Sequence, residues 1–330
     1  MSQHSNHEIK MYGAIKVYAG SGSPELAQKI VDYLEQKLSP REVIQFPNEN
    51  IFIKLNSSAR GQDVYVIQTT SSPVHYNLME LLIMIQTLQL DSAARITAVI
   101  PYLAYGRSDK KDQPRVPITA RLVADMIEVA GADRYMTFDP HAGQIQGFFS
   151  IPGDVLTASH MISDYIKDNL FSKMKAPVVV ATDLGFAKKG RNYALDLDIP
   201  IAFIEKRRAG NDSTTEALTL IGDVKDRDVI IVDDEVDTGG SIAQAVNVVK
   251  KYGARDIYLA FIHPIFSLDS AEKLASLPIK QIITTDTVPI PPEKLKLLEE
   301  QLTILSIAPM LGEVIKRAHE GRSVGEMFNE

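Results

Sequence analysis

The chain contains no cysteine. It therefore forms no disulfide, holds no metal through thiolates and carries no thiol nucleophile. No stretch approaches the roughly 18 uninterrupted apolar residues of a membrane-spanning helix. The polar start Met1–Lys10 (MSQHSNHEIK) does not read as a secretory signal. Basic residues are outnumbered 35 to 42, a net charge of −7, which argues against bulk nucleic-acid binding but leaves local basic clusters open. Also absent is any GxxxxGK[ST] segment, so a nucleotide would have to be bound by something other than a Walker loop. The expectation is a cytoplasmic protein with neither a membrane nor a nucleic-acid partner.

What is present is ordinary globular material. Hydrophobic residues make up 45% and charged residues 23% of 330 residues, enough for about two domains at roughly 150 residues each. After a polar tail (1–13), short β-branched runs alternate with longer amphipathic stretches. The strand-like runs are Ile15–Tyr18, Val64–Gln68, Ile96–Ile100, Val178–Ala181, Ala202–Ile204, Val229–Val232 and Ile257–Phe261. Helix-like stretches are Pro24–Leu38, Leu78–Leu90, Ile118–Ala130, Ser159–Leu170, Gly240–Tyr252 and Met310–His319. This alternation predicts an α/β fold with mainly parallel sheets. Ser23 is placed to cap the first helix, with Pro24 and Glu25 in its first turn.

The two halves echo each other. Leu122–His141 (LVADMIEVAGADRYMTFDPH) aligns on its Gly131-Ala132 with Gly253-Ala254 in the stretch Ile242–Pro264, and each copy meets a histidine ten residues after its glycine, His141 or His263. The same offset sets Arg115–Thr119 (RVPIT) opposite Asp237–Ser241 (DTGGS). Two unrelated helix–Gly–strand units would produce part of this pattern; the shared offset favours duplication. It predicts domains over 14–157 and 158–330, with a C-terminal helix able to pack back on the first.

The densest chemistry lies in Ile230–Ser241 (IIVDDEVDTGGS). Four apolar residues make a buried strand, with Asp233 and Asp234 at its carboxyl end. Asp237, Thr238, Gly239, Gly240 and Ser241 then lead into a helix N-terminus, whose first N–H groups are unpaired donors. Glycines let a backbone approach a ligand closely, so the loop favours phosphate, aided by the two hydroxyls. Adjacent carboxylates repel phosphate, but they fit a ligand with hydroxyls, or Mg²⁺ held through water. A sugar phosphate meets both demands; an acidic turn before a capped helix is the plainer alternative.

This segment resembles the fingerprint of the type I phosphoribosyltransferase fold, two acidic residues followed by a Thr/Gly loop for a ribose 5-phosphate group. Further along, Asp139–Phe149 (DPHAGQIQGFF), Pro101–Lys111 (PYLAYGRSDKK), Arg115–Ala120 (RVPITA), Glu205–Arg208 (EKRR) and His263–Ser267 (HPIFS) look like ribose-phosphate diphosphokinases, also called phosphoribosyl pyrophosphate synthetases. The similarity runs in order from about Lys16 to Phe328. It implies two phosphoribosyltransferase-type domains, and Mg²⁺-dependent transfer of the β,γ-diphosphoryl group of ATP to the anomeric hydroxyl of ribose 5-phosphate, releasing AMP. It also implies a homo-oligomer with the ATP site at a subunit interface.

Residue by residue, the resemblance carries over as follows. Lys206 and Arg208 match the catalytic Lys-x-Arg just after a strand, ahead of the polar Gly210–Thr215; a solvated charge run would look the same without the other motifs. His141 and Asp183 match metal-associated positions, with Asp139 able to support them, while His263 is expected to be structural. Phe46, Asn48 and Asn50, then Arg107 and Ser108, match the ATP-binding loop and Arg-Gln pair. Asn50 stands where the family has an acid, and Ser108 where it has glutamine. Ser58, Arg60 and Ser323 fit the regulatory anion site, which here lacks a second serine (Gly325) and reads Asp154-Val155 in place of Asp-Asn. Phe186 replaces a glycine in the Asp183-Leu184-Gly185-Phe186 turn, where it either alters the backbone or covers the site. Two other readings stay open: a non-catalytic regulatory relative that assembles with active subunits, and a base phosphoribosyltransferase, which shares only the acidic Thr/Gly loop.

Overall fold

The structure is a computed structural model that describes residues 12–183, 185–208 and 216–328, with positions 206–208, 216, 217 and 328 described by backbone alone. The described chain forms two compact units. One comprises the residues up to Val155 together with those from Ala308 onward; the other is Leu156–Ile307. No helix among the described residues is long and apolar enough to cross a membrane.

The first unit is built on a sheet of β1 (Ile15–Ala19), β4 (Asp63–Ile67), β5 (Arg95–Ile100), β6 (Arg134–Phe138) and β7 (Gly153–Leu156), in that spatial order. The pairings from β1 through β6 are parallel. Every residue of β4 is buried, as a parallel strand covered on both faces requires. Its helices are α1 (Pro24–Tyr33), α2 (Val74–Leu90) and α3 (Thr119–Ala130). A separate antiparallel ribbon, β2 (Arg41–Gln45) and β3 (Ile51–Leu55), pairs Gln45 with Ile51 across an exposed turn. Sequence periodicity overlooks this ribbon because only Ile53 of its ten residues is buried.

Helix α2 starts at Val74, a turn before the expected Leu78, and α1 differs from the expectation in its end and its cap. Helix α1 stops at Tyr33, with Leu34 closing it and Glu35 in left-handed conformation (φ 54°). Ser23 does not cap it. Its Oγ instead accepts the Thr69 N–H from the end of β4 at 2.8 Å, so the helix start rests on Pro24 at its first turn and on Glu25 near the positive end of the dipole.

The last helix, α9 (Ala308–Glu320), packs on α1. Gly312 permits the approach, since a Cβ there would fall 2.3 Å from Cδ1 of Tyr33. The other end of α9 is held by a buried charge. Asp63, fully buried, takes a bidentate pair from Arg95 (2.7 and 2.6 Å) and the Tyr65 hydroxyl (3.0 Å), and lies 2.8 Å from His319 Nδ1. Arg95 also donates to the Ala318 carbonyl at 3.1 Å. Burial and the adjacent carboxylate push the Tyr65 hydroxyl above its ordinary range, keeping it a donor.

The second unit, from α4 (Ser159–Asn169) onward, has a sheet in the order β10 (Glu216–Ile221), β9 (Ile201–Arg208), β8 (Val178–Ala181), β11 (Val229–Val236), β12 (Ile257–Pro264), β13 (Gln281–Thr285), β14 (Leu302–Leu305). All pairs are parallel except β9 with β10. From β8 the chain goes to β9 on one side through α5 (Ala187–Leu197), then returns to β11 on the other. Strand order therefore reverses between β8 and β11, and ligands of open α/β sheets bind beyond the carboxyl ends at such a point. Helices α6 (Gly240–Lys251), α7 (Ser270–Ala275) and α8 (Pro292–Leu298) follow. The echo is visible in the elements: α3, Gly131 (φ 109°) and β6 correspond to α6, Gly253 (φ 87°) and β12. RVPIT and DTGGS both run into the helix starts.

Replacing Asp63 with Ala leaves the Arg95 guanidinium, 11% exposed, without its counter-charge. Loss of one partner of a buried pair costs about 3–5 kcal/mol, whereas an exposed pair such as Lys54–Glu42, 4.0 Å apart, is worth under about 1 kcal/mol. Urea unfolding monitored on the first unit should separate Asp63→Ala from Lys54→Ala by that margin.

Candidate active site

The site is built around the end of β11. Four apolar residues, Val229–Val232, are fully buried and deliver Asp233 and Asp234 to the strand's carboxyl end. Asp234 is 5% exposed and Asp233 half-buried. Asp233 accepts the Thr182 hydroxyl at 2.9 Å on one oxygen and the Asp234 N–H at 2.9 Å on the other. Thr182 belongs to the turn after β8, so this bond ties together the two strands that flank the reversal of strand order.

Desolvation, and then the Asp234 charge beside it, raise the Asp233 carboxyl well above the ordinary carboxylate range, against the lowering effect of its hydrogen bonds. An ionised Asp233 is thus a strained charge. Groups that stabilise it, such as hydroxyl donors or a cation, are favoured there.

Beyond the carboxylates the loop turns through Gly239 (φ 71°), a left-handed position suited to glycine. Helix α6 begins at Gly240. Among the described residues, no acceptor takes the backbone N–H groups of Thr238, Gly239, Gly240 or Ser241. Consecutive unpaired donors at a helix N-terminus form an anion cradle.

Residues 15–131 match the family model described as the N-terminal domain of ribose phosphate pyrophosphokinase. Residues 211–329 match the phosphoribosyl synthetase-associated domain. A ribose-phosphate pyrophosphokinase from Clostridium tetani is 41% identical over 323 residues, spanning 98% of this chain and 99% of that protein. The chain belongs to the ribose-phosphate pyrophosphokinase family. One from Caldanaerobacter subterraneus is 42% identical over 315 residues, covering 96% and 98%. The crystal structure of phosphoribosylpyrophosphate synthetase from Mycobacterium smegmatis superposes with a TM-score of 0.88 at 38% identity, covering 94% of this chain and all of that one.

Against the family pattern, Asp183 is exposed and its Oδ1 accepts the Phe186 N–H at 2.8 Å. Phe186 has ordinary backbone angles (φ −86°, ψ −1°) and a ring only 7% exposed, with the Lys189 ammonium 5.8 Å from it. No glycine is required at that position. Leu184 lies outside the described residues. His141 is exposed after β6, and a Cβ on Gly106 would stand 3.4 Å from its own Cβ, so it lies beside the segment carrying Arg107. Asp139 is 9% exposed with φ 34°. His263 is 2% exposed and bonds Thr287 Oγ1 through Nδ1 at 2.9 Å, the structural role expected of it.

Lys206 and Arg208 do not follow a strand as expected; they lie within β9, which continues to Arg208 because β10 pairs with it (Lys206 opposite Leu218, Arg208 opposite Glu216). Their side chains, and the stretch Gly210–Thr215, are outside the described residues. Phe46, Asn48 and Asn50 form the exposed turn of the β2–β3 ribbon: the Phe46 N–H donates to Asn50 O at 2.8 Å, and Asn48 Oδ1 accepts the Asn50 N–H at 3.2 Å. The Phe46 ring is 45% exposed. Arg107 is exposed, but Ser108 is engaged locally: its Oγ accepts the Thr119 N–H at 3.2 Å, bracing the start of α3. Ser58 donates to the Asp91 carboxylate at 3.1 Å, and Ser323 offers its carbonyl to Arg317 at 2.9 Å. No described contact joins Ser323 to Ser58 or Arg60. Thr182, unnoticed in the sequence, has no motif of its own; only its place before Asp183 hints at it.

The raised Asp233 carboxyl has a consequence for stability. A group that binds its proton more tightly folded than unfolded lowers stability as pH rises from its unfolded to its folded value. Asp233→Asn should therefore raise the melting temperature of the ligand-free protein at pH 8, by a few degrees for each kcal/mol regained. The gap should close as pH falls towards the ordinary carboxylate range. Scanning calorimetry at both ends of that window checks it.

Proposed function

We propose that this protein makes phosphoribosyl diphosphate and AMP from ATP and ribose 5-phosphate, acting in the cytoplasm as a homo-oligomer. The observation that carries this reading is the loop Asp233–Ser241 at the reversal of strand order. The N–H groups of Thr238–Ser241, with the Thr238 and Ser241 hydroxyls, hold the 5-phosphate. Asp233, Asp234 and Asp237 accept from the sugar hydroxyls. Binding through the phosphate and hydroxyls fixes the anomeric oxygen for in-line attack on the β-phosphorus. Negative charge then grows on the oxygen bridging the α- and β-phosphorus, and Lys206 and Arg208 are the cations assigned to stabilise it. ATP is held by Phe46, Asn48 and Asn50 of a neighbouring subunit together with Arg107, the Phe46 ring, 45% exposed beside Phe52, offering a face to adenine.

The cation of this reading is Mg²⁺. No group of three or more His, Asp or Glu side chains gathers among the described residues as a metal cage, while His141 and Asp183 are exposed and Asp183 has one carboxylate oxygen outside its bond to Phe186. Each, taken by itself, would give a cation a single protein ligand, which suits an ion that retains waters and phosphate oxygens. When bound, Mg²⁺ neutralises polyphosphate charge.

A second reading, a regulatory relative without chemistry of its own, draws support from Ser108, whose hydroxyl is committed to α3. The two are separated by incubating the purified protein with ATP, ribose 5-phosphate and Mg²⁺ and measuring AMP. Stoichiometric AMP and phosphoribosyl diphosphate are expected, and Lys206→Ala should lower turnover by about 10²–10³ with ribose 5-phosphate binding intact. Absence of AMP from the unmodified protein would exclude the catalytic reading. The anion pocket is also depleted, since Ser58 faces Asp91 and Asp154 is paired with Arg134 at 2.9 Å. Phosphate should accordingly stimulate the reaction, and ADP inhibit it beyond competition with ATP, less than in phosphate-dependent members; titrations of both ligands measure this.

A further inference from the structure

The phosphate loop is braced from behind. Four consecutive carbonyls are each taken by a donor: Val236 O by the Phe266 N–H (2.9 Å), Asp237 O by the Ser267 N–H (3.0 Å), Thr238 O by the Lys273 ammonium (2.9 Å) and Gly239 O by the Ala243 N–H (3.0 Å). In a trans peptide the C=O and the following N–H point to opposite sides of one plane. Holding the Thr238 carbonyl on one side therefore turns the Gly239 N–H to the other, where the cradle lies.

Three of these donors are main-chain N–H groups, one of which closes the first turn of α6; Lys273 is the only side chain among the four. It reaches the loop from α7, with its Cδ 3.7 Å from where a Cβ on Gly239 would stand. Asp269 sits 3.6 Å from its ammonium, but that carboxylate is 70% exposed and weakens the charge little. The segment preceding α7 is itself under constraint. Phe266 and Leu268 both have positive φ (47° and 52°), Phe266 is fully buried edge-on to Phe261, and Lys294 bonds its carbonyl. Non-glycine residues persist in that region only where the surroundings impose it.

We propose that Lys273 is a positioning residue for sugar-phosphate binding. Its hydrogen bond orients the Thr238–Gly239 peptide, and its charge polarises that peptide so that the Gly239 N–H becomes a stronger donor to the phosphate. The inference rests on the reading of this loop as the ribose 5-phosphate site. Because it acts on a contact made equally in the ground and transition states, its loss raises KM for ribose 5-phosphate and leaves kcat largely in place.

The experiment compares the intact enzyme with Lys273→Met, which keeps the stem, and Lys273→Arg, which restores a charged donor. Lys273→Met should raise KM for ribose 5-phosphate about tenfold, with kcat and KM for ATP within about twofold and an unchanged melting temperature. Lys273→Arg should recover most of that loss. Calorimetric titration with ribose 5-phosphate alone should show the same order. An unchanged KM in Lys273→Met, a matching rise in KM for ATP, or failure of arginine to rescue would overturn the role given to Lys273. If the unsubstituted protein neither binds ribose 5-phosphate nor releases AMP, the site assignment itself fails, whatever the variants do.

Discussion

A peptide unit cannot present its donor and its acceptor to the same side, and the site depends on that constraint. A loop can offer a row of N–H groups to an anion only if the matching carbonyls are satisfied elsewhere. After β11 they are, through the segment following β12, through α7 and through the first turn of α6. The glycines supply the conformation, but the carbonyl partners fix its direction. Parallel order in the sheet makes this possible, because β12 leaves the sheet at the same end as β11 and its next residues fall behind the loop.

The first unit shows the contrasting outcome of a similar start. After β1 the chain reads Gly20-Ser21-Gly22-Ser23 and enters α1, again a strand, a glycine-containing loop and a helix. Here the donors are taken internally. The buried Glu80 carboxylate accepts the Ser21 N–H (3.1 Å) and hydroxyl (2.8 Å), and Gln68 accepts the Gly22 N–H (2.8 Å). A carboxylate supplied by α2 occupies the position that an external anion would need. The loop that ends β11 has no such internal anion; its own carboxylates stand on the strand before it, where hydroxyls and not phosphate are wanted. Of two strand–glycine loop–helix turns, one thus has its donors filled from within and the other has them available, and the difference comes down to Glu80.

Much of this was legible beforehand. Val178–Ala181 and Val229–Val232 read as strands because both faces of a parallel sheet are buried and demand continuous β-branched runs. Asp233–Ser241 was legible because its chemistry is contiguous. What the sequence concealed is non-local or exposed. The β2–β3 ribbon has too few buried residues for periodicity to mark it. β9 extends past Ile204 through Lys206 and Arg208 because a partner strand pairs with it, and local polarity suggested a strand end. Ser23 has the capping residue type, but a bond across to Thr69 satisfied it instead. Thr182, Phe266, Ser267 and Lys273 sit far along the chain from the loop they support, and no spacing rule links them to it.

The same distinction bears on which residues carry function. Asp233 is held by Thr182 and crowded by Asp234, an arrangement that raises the free energy of its charged form in the empty site. In the proposed function, a ligand offering hydroxyls or a cation would relieve that cost on binding. The row of N–H groups works in the opposite sense: bonds to its carbonyls assemble it in advance, with its donors already aimed. The sugar phosphate of the proposed function would thereby meet two devices, preorganised donors for its phosphate and a frustrated carboxylate pair for its sugar. Only a molecule that carries both groups, at the separation set by the turn from Asp233 to Gly239, engages the two together.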